Sequence, residues 1–245
     1  TLFRSVDRLI ELGHDVLVID NLSTGMRSFV HEDAQFIEMD VRDPKLLSVF
    51  EEFKPSIVFH EAAQTMVQSS MENPSYDCDV NLIGLINVLD ACRKVNVEQF
   101  LMPSSAAVYG DLAVLPLTED LSGMPSSFYG LTKLTAEGYL RIYHEAFGLN
   151  TVCFRYANVY GPRQGDGGEG GVISIFNRLI VEGQPLTVFG DGEQTRDFIY
   201  VDDVVDANIK AMGNGQCTGI YNISTNKGTS VNELITRFRA ISGTD

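Results

Sequence analysis

Three residues could do chemistry together. Tyr129 and Lys133 stand four apart within Phe128-Tyr129-Gly130-Leu131-Thr132-Lys133, and Ser105 precedes them in Ser104-Ser105-Ala106-Ala107-Val108-Tyr109. On a helix, residues at i and i+4 lie one above the other, so the ammonium can bias the phenol towards its ionised form. That makes Tyr129 a general base in prospect. A bare Tyr-x-x-x-Lys is weak evidence, because exposed helices carry many such pairs, and the setting has to decide.

The elements that would position these residues alternate between strands and helices. Residues 5–12 read as the tail of a helix with Gly13 as its left-handed cap, and residues 16–20 as a buried parallel strand closed by Asp20. An acid closing the second strand of a dinucleotide-binding α/β unit bonds the adenosine ribose, about 20 residues beyond a glycine fingerprint. Nineteen residues precede Asp20, and none of them forms such a fingerprint. The chain is therefore expected to begin inside the first helix of the unit, without its central first strand, and to bind the cofactor poorly.

Residues 35–41 read as a second strand, whose Asp40 and Val41 could seat an adenine or simply end the strand. A helix over 44–53 and a strand over 56–60 follow. Glu61-Ala62-Ala63-Gln64 then offers small residues that admit a flat ligand or merely fit a tight turn. A helix over 80–94, carrying Asn81 and Gly84, leads to the strand that delivers Ser104 and Ser105. The run 152–162, Val-Cys-Phe-Arg-Tyr-Ala-Asn-Val-Tyr-Gly-Pro, reads as one more buried strand. Strands and helices alternating at these lengths mean a doubly wound parallel sheet whose carboxyl edge collects every candidate residue.

From Arg163 the texture changes. The glycine-rich run 165–171 lacks a following Lys-Ser or Lys-Thr, so it reads as a mobile loop over a cleft rather than a P-loop. A helix over 172–182, a strand over 186–189 and a Gly190-Asp191-Gly192 turn come next. Residues 198–201 and a helix over 203–212 are expected to return to the main sheet, 220–223 to add a strand, and Ser230 with Glu233 to open a last helix through a capping box.

Bulk properties exclude several function classes. A net charge of −15 over 245 residues argues against binding nucleic acid or an anionic membrane through neutralised phosphates. No apolar run approaches the roughly 18–20 residues of a membrane span, and the first residues lack the apolar core of a signal peptide, so a cytoplasmic location is expected. Cys78, Cys92, Cys153 and Cys217 are scattered without a Cys-x-x-Cys, and His14, His31, His60 and His144 stand apart from other ligand types. No metal site and no disulfide framework is expected.

In this order and spacing, these segments resemble the extended short-chain dehydrogenase/reductase superfamily, and within it the NAD-dependent epimerase/dehydratase family. The segments are Val18-Ile19-Asp20-Asn21, Ala62-Ala63, Ser104 to Gly110, Tyr129 with Lys133, Arg155 to Pro162, and Phe189-Gly190-Asp191-Gly192 through Arg196-Asp197-Phe198. The resemblance implies a Rossmann-like NAD-binding domain over 1–161, completed by 197–223. A smaller substrate-binding domain would cover 162–196 and 224–245.

By the same resemblance Tyr129 is the base, Lys133 bonds the nicotinamide ribose and lowers the tyrosine pKa, and Ser105 bonds the reacting sugar hydroxyl. NAD would touch Asp20, Asn21, Asp40, Val41, Ala62, Ala63, Asn81 and Tyr156 besides Tyr129 and Lys133. The substrate would touch Ser105, Asn158, Val172, Thr187 and Phe189, with Arg196 on its diphosphate. Arg163 is a second diphosphate candidate, and Arg196 could instead pair with Asp197 or Asp191. Asp20 favours NAD over NADP, because a 2′-phosphate would meet a carboxylate there.

Dehydratases of the family resemble one another in an Asp-Glu pair after the catalytic Ser or Thr; here those positions are Ala106 and Ala107, which transfer no proton. The implied reaction is the interconversion of UDP-glucose and UDP-galactose through a 4-keto sugar, in a homodimer formed through two helices per subunit. A UDP-N-acetylglucosamine epimerase, a UDP-glucuronate decarboxylase, a dTDP-glucose dehydratase and an inactive NAD-binding fragment remain alternatives. Pro103 and Phe128 depart from the family pattern without removing a reacting group, and by the same resemblance the chain ends early, so later substrate contacts are expected to be missing.

Overall fold

The computed structural model of the chain describes residues 2–165 and 171–243. In chain order its elements are α1 (Leu2–Glu11), β1 (Leu17–Asp20), β2 (Gln35–Glu38), α2 (Leu46–Phe53), β3 (Ile57–Phe59), α3 (Val67–Glu72), α4 (Pro74–Cys78), α5 (Gly84–Val95), β4 (Gln99–Ser105) and α6 (Phe128–Phe147). They continue with β5 (Asn150–Tyr156), β6 (Asn158–Tyr160), α7 (Val172–Val181), β7 (Thr195–Tyr200), α8 (Val201–Ala211), β8 (Gly219–Ile223), β9 (Gly228–Ser230) and α9 (Val231–Ser242).

The strands β3-β4-β5-β8, in that order, make a four-stranded sheet with every pair parallel. The residues alternate between its faces. Phe100, Met102 and Cys153 meet Leu46, Phe50, Leu85, Leu89, Ala136 and Leu140 from α2, α5 and α6. Leu101, Val152, Phe154 and Tyr156 meet Val204 and Ala211 of α8 on the other face. This is the helix-on-both-faces, Rossmann-like arrangement that the run of apolar strands implies. Leu85, Leu89, Phe100 and Val152 are fully buried, each contributing about 1.5–3 kcal/mol relative to an exposed side chain.

The strands β1 and β2 pair in parallel as a sheet of their own, not hydrogen-bonded to the four-stranded one. Beneath them α1 packs through Val6 against Val18, Val30 and Ala34. Gly13 closes α1 with φ +82°, as its place in the sequence requires.

Several elements differ from the sequence expectation. The helix expected from residue 80 begins at Pro74, where the Asn73 side chain accepts from the Tyr76 amide, and runs through a π turn at Asp79–Ile83 into α5. The run expected as one strand over 152–162 divides at Ala157. Its amide still bonds Ile223 of β8, but Asn158 to Tyr160 then pair with Phe198 to Tyr200. Residues 198–201 therefore do not rejoin the main sheet; β7 finds backbone partners in parallel β6 and antiparallel β9. The apolar run 186–189 forms no strand, since no neighbouring strand among the described residues offers it a ladder. The glycine-rich loop expected over 165–171 lies mostly outside the described residues.

Candidate active site

Helix α6 holds the two reacting side chains. Its start is fixed by Ser127, whose Oγ accepts from the Gly130 amide at 3.1 Å, and its end by Gly148 in the left-handed conformation. Gly130 sets how close the helix comes to the serine strand. A Cβ there would lie 2.6 Å from the Ala107 carbonyl oxygen, so only glycine lets the first turn rest against the segment after β4. That approach brings Tyr129 beside Ser105 at the carboxyl end of β4.

The Lys133 ammonium is buried; it donates to the Pro103 carbonyl at 2.9 Å and lies 6.0 Å from the centre of the Tyr129 ring. Burial lowers the Lys133 pKa, against the opposing pull of Cys153, Glu61, Asp77 and Glu137. Burial raises the Tyr129 pKa, the Ser105 hydroxyl pulls it back down, and Asp77 raises it further. The expected lowering by Lys133 is thus not what dominates this phenol. Desolvation is the largest cause, and Lys133 is not among the groups that shift it.

These groups line a cavity of about 650 Å³ at the carboxyl edge of β3, β4 and β5. Ser105, Tyr129, Lys133, Ala63 and Tyr156 line it, together with Asn158, Val172, Thr187, Phe189 and Arg196. Tyr156 is held by a hydrogen bond from Asn208 Nδ2 to its hydroxyl at 2.7 Å. Asn158 donates to the Asp197 carbonyl at 3.1 Å. Arg196 donates to the Thr195 carbonyl and pairs with neither Asp197 nor Asp191. The Asp197 carboxylate is instead taken by Thr225 and the Lys227 amide. Arg196 is exposed, lines the cavity and has no acidic partner among the described residues. Arg163, the second candidate, does not: it bonds Asp7 of α1 and the Phe29 carbonyl.

The remaining candidates fall elsewhere. Asp20, Asn21, Asp40 and Val41 sit at the carboxyl ends of β1 and β2, away from the cavity lining. The Asp20 carboxylate accepts from the Leu22 amide at 2.7 Å. Asn21 donates to Asp40 at 2.9 Å, and Arg42 bonds both Asp40 oxygens, holding that carboxyl well below the usual range. Ala62 sits in the turn between Glu61 and Ala63 and is not part of the lining. Asn81 is buried and turned into the framework, where it pairs with the Gln64 backbone in both directions.

Sequence reasoning gave no role to one charged residue at the cavity and to an ion pair behind it. Glu61 lines the cavity, where burial raises its pKa. Its position directly after β3, across from Lys133, was the available signal. Behind the site Arg155 and Glu137 form an ion pair at 2.7 Å with both side chains about 5 % exposed or less. Ser104 Oγ donates to Glu137 at 2.6 Å, Arg155 reaches the Tyr109 hydroxyl at 2.8 Å, and Tyr109 donates to Asn222 at 2.7 Å. Glu137 lies one turn beyond Lys133, so helical spacing alone marks it as a neighbour of the site.

The residues fit NAD at two separate places. Asp20 presents a free carboxylate oxygen at a strand end suited to ribose hydroxyls, and Lys133 and Tyr129 stand where a nicotinamide ribose and a carbinol would be met. Among the described residues no group of His, Cys, Asp and Glu could hold a metal ion, and no helix is long and apolar enough to cross a membrane.

The model of the NAD dependent epimerase/dehydratase family matches residues 4–224. A UDP-glucose 4-epimerase of Mycolicibacterium smegmatis is 38% identical over 237 residues, covering 94% of this chain and 76% of the relative. Among solved structures, a UDP-glucose 4-epimerase of Thermotoga maritima with UDP-glucose superposes with a TM-score of 0.95 at 39% identity, over 99% of this chain and 79% of that one. A UDP-glucose 4-epimerase of Thermus thermophilus in complex with NAD gives 0.92 at 37% identity, over 99% and 80%.

Proposed function

This chain belongs to the NAD-dependent epimerase/dehydratase family, and we propose that it interconverts UDP-glucose and UDP-galactose by oxidising and re-reducing carbon 4 of the sugar. The observation that carries the reading is the meeting of Ser105, Tyr129 and Lys133 at one cavity wall, with Ala106 and Ala107 where a dehydratase would need acids. NAD, when bound, would supply the acceptor for the carbinol hydride and its return to the opposite face of the sugar.

The protein's own groups handle the proton and the orientation. Ser105 bonds the 4-hydroxyl and directs it at Tyr129. The Tyr129 oxygen takes the hydroxyl proton as the carbinol is oxidised and returns it when the ketone is reduced. Lys133, with Asp20 at the far end, would hold the cofactor riboses, and its charge would steady the Tyr129 phenolate that accepts the proton. Ala106 and Ala107 offer no proton to a leaving hydroxyl, so the keto sugar survives until reduction. Arg196 supplies the local cation that a diphosphate needs on a chain of net charge −15. Thr187 and Phe189 complete that wall against the uracil.

Two coarser features belong to the same reading. Exposed Val67, Met71, Ile83 and Leu131 on α3, the π turn and α6 suit a homodimer packed through helices. A cytoplasmic location agrees with a chemistry that uses a nucleotide sugar.

Incubation with UDP-glucose and NAD, followed by chromatography, tests the function. UDP-galactose should accumulate to an equilibrium mixture, and its absence with NAD shown to be bound would refute the reading.

A further inference from the structure

One buried acid next to the reacting pair has no part in the chemistry above. Asp77 is fully buried on α4, and no cation reaches it within ion-pair distance among the described residues. Three side chains satisfy it: Thr132 Oγ1 donates to Oδ2 at 2.8 Å, and Gln64 Nε2 and Asn81 Nδ2 donate to Oδ1 at 2.8 and 3.2 Å. Thr132 lies between Tyr129 and Lys133 on α6, and its hydroxyl also receives Asn81 at 3.2 Å. Close by, the Tyr129 amide donates to Ser70 Oγ at 3.1 Å, so the segment 64–81 grips the first turn of α6 at two points.

We propose that Asp77 is a positioning residue for Tyr129 and Lys133, tying the start of α6 to α4 and presenting a fixed negative charge to the pair from behind. Burying an acid without a cation costs several kcal/mol by the usual desolvation penalty, offset here by three donors. A site that needed only the tie could use a neutral side chain. The charge has an effect of its own: it opposes ionisation of Tyr129 and supports the ammonium of Lys133, which burial would otherwise discharge.

The groups facing the pair from the other elements are few. They are Ser105 on β4, Cys153 on β5, Glu61 and His60 after β3, and Glu137 on α6, whose charge is matched by Arg155. Asp77 differs from Glu61 in being sealed from the cavity, so a ligand there would not touch it.

The proposal rests on Tyr129 being the base, and the test reads that phenol directly. Phenolate absorbance is titrated in the protein and in Tyr129→Phe, and the difference gives the Tyr129 ionisation without substrate. In Asp77→Asn, which keeps the shape and removes the charge, that ionisation should fall by about half a pH unit or more. Thr132→Val, which keeps the charge and removes one donor, should move it upward. Both variants should also lower kcat more than they raise KM.

An unchanged or oppositely shifted Tyr129 titration in a folded Asp77→Asn overturns the proposal. If that variant does not fold, an unshifted titration in Thr132→Val overturns it in the same way. A parent protein that leaves UDP-glucose unchanged refutes the proposed function, but the phenolate titration still decides the role of Asp77.

Discussion

The two ends of the proposed cofactor path are held by different physics. Around Ser105, Tyr129 and Lys133, the supports are buried and mutually satisfied: Glu137 with Arg155 and Ser104, Asp77 with Thr132 and Gln64. Around Asp20 and Asp40 the supports are part-exposed: Arg42 clamps Asp40 and reaches Asp79 at 2.6 Å, and α1 is pinned to α8 by Arg4 on Asp202 and Arg8 on Asp206. Buried pairs lose their desolvation gamble when one partner goes, whereas exposed pairs are worth little and are screened. The reacting end should therefore tolerate salt and resist substitution badly; the adenosine end should do the reverse.

The sharpest way to break that contrast is Glu137→Gln. It leaves the Arg155 guanidinium buried without its carboxylate, with an amide NH2 turned towards its donors in place of one acceptor oxygen. A loss of about 3–5 kcal/mol in unfolding free energy is expected, insensitive to salt, measured by urea denaturation. A loss below about 1 kcal/mol would mean that the buried network is not what steadies the site.

Tyr129→Phe separates chemistry from support. The ring remains and the hydroxyl goes, so stability should change little while turnover falls by at least about 100-fold, or roughly 2.7 kcal/mol in the barrier. Comparable turnover would remove Tyr129 as the proton acceptor.

His60 gives the reacting end a pH signature. It is buried against Phe100 with its pKa lowered to about 3, first by burial and then by Lys133. In the unfolded chain it titrates near its ordinary value of about 6.5. Between these values the unfolded state holds one more proton, so stability rises with pH across the window. It is lost by about 1.4 kcal/mol per unit as pH falls from about 6.5 towards 3, or about 2 kcal/mol by pH 5. His60→Phe should flatten that slope in urea melts from pH 7 to 5; an equally steep slope would place the proton elsewhere.

The same contrast explains what could be read from the sequence. The reacting end was legible because its chemistry is local: a four-residue helical spacing, a serine at a strand end, and two alanines in place of acids. The fold class followed from apolar strands alternating with helices. What stayed hidden depends on long-range contacts. The division of residues 152–160 between two sheets at Ala157 is decided by β8 on one side and β7 on the other, which no local pattern records. Asn81 bonds the backbone of Gln64, seventeen positions away, a contact that no local pattern records. Arg163 looked free for phosphate until Asp7 met it across the fold.

The smallest effect is expected at the adenosine end. Arg42 bonds Asp40 through two nitrogens at 2.8 and 2.7 Å and stands on Asp79, but all three side chains remain partly open to water. Arg42→Ala should cost at most about 1 kcal/mol at low salt, and the difference from the parent should shrink as ionic strength rises past about 0.15 M, where the screening length is about 8 Å. Asp40 would then regain an ordinary carboxyl titration, its pKa rising from the low value that the Arg42 hydrogen bonds impose. Because a lowered carboxyl pKa contributes stability above its unfolded value and loses it as pH falls, the variant should also lack that part of the acid sensitivity. A cost of several kcal/mol that persists in salt would mean that Arg42 acts as a buried clamp, and that the two ends of the path are held alike.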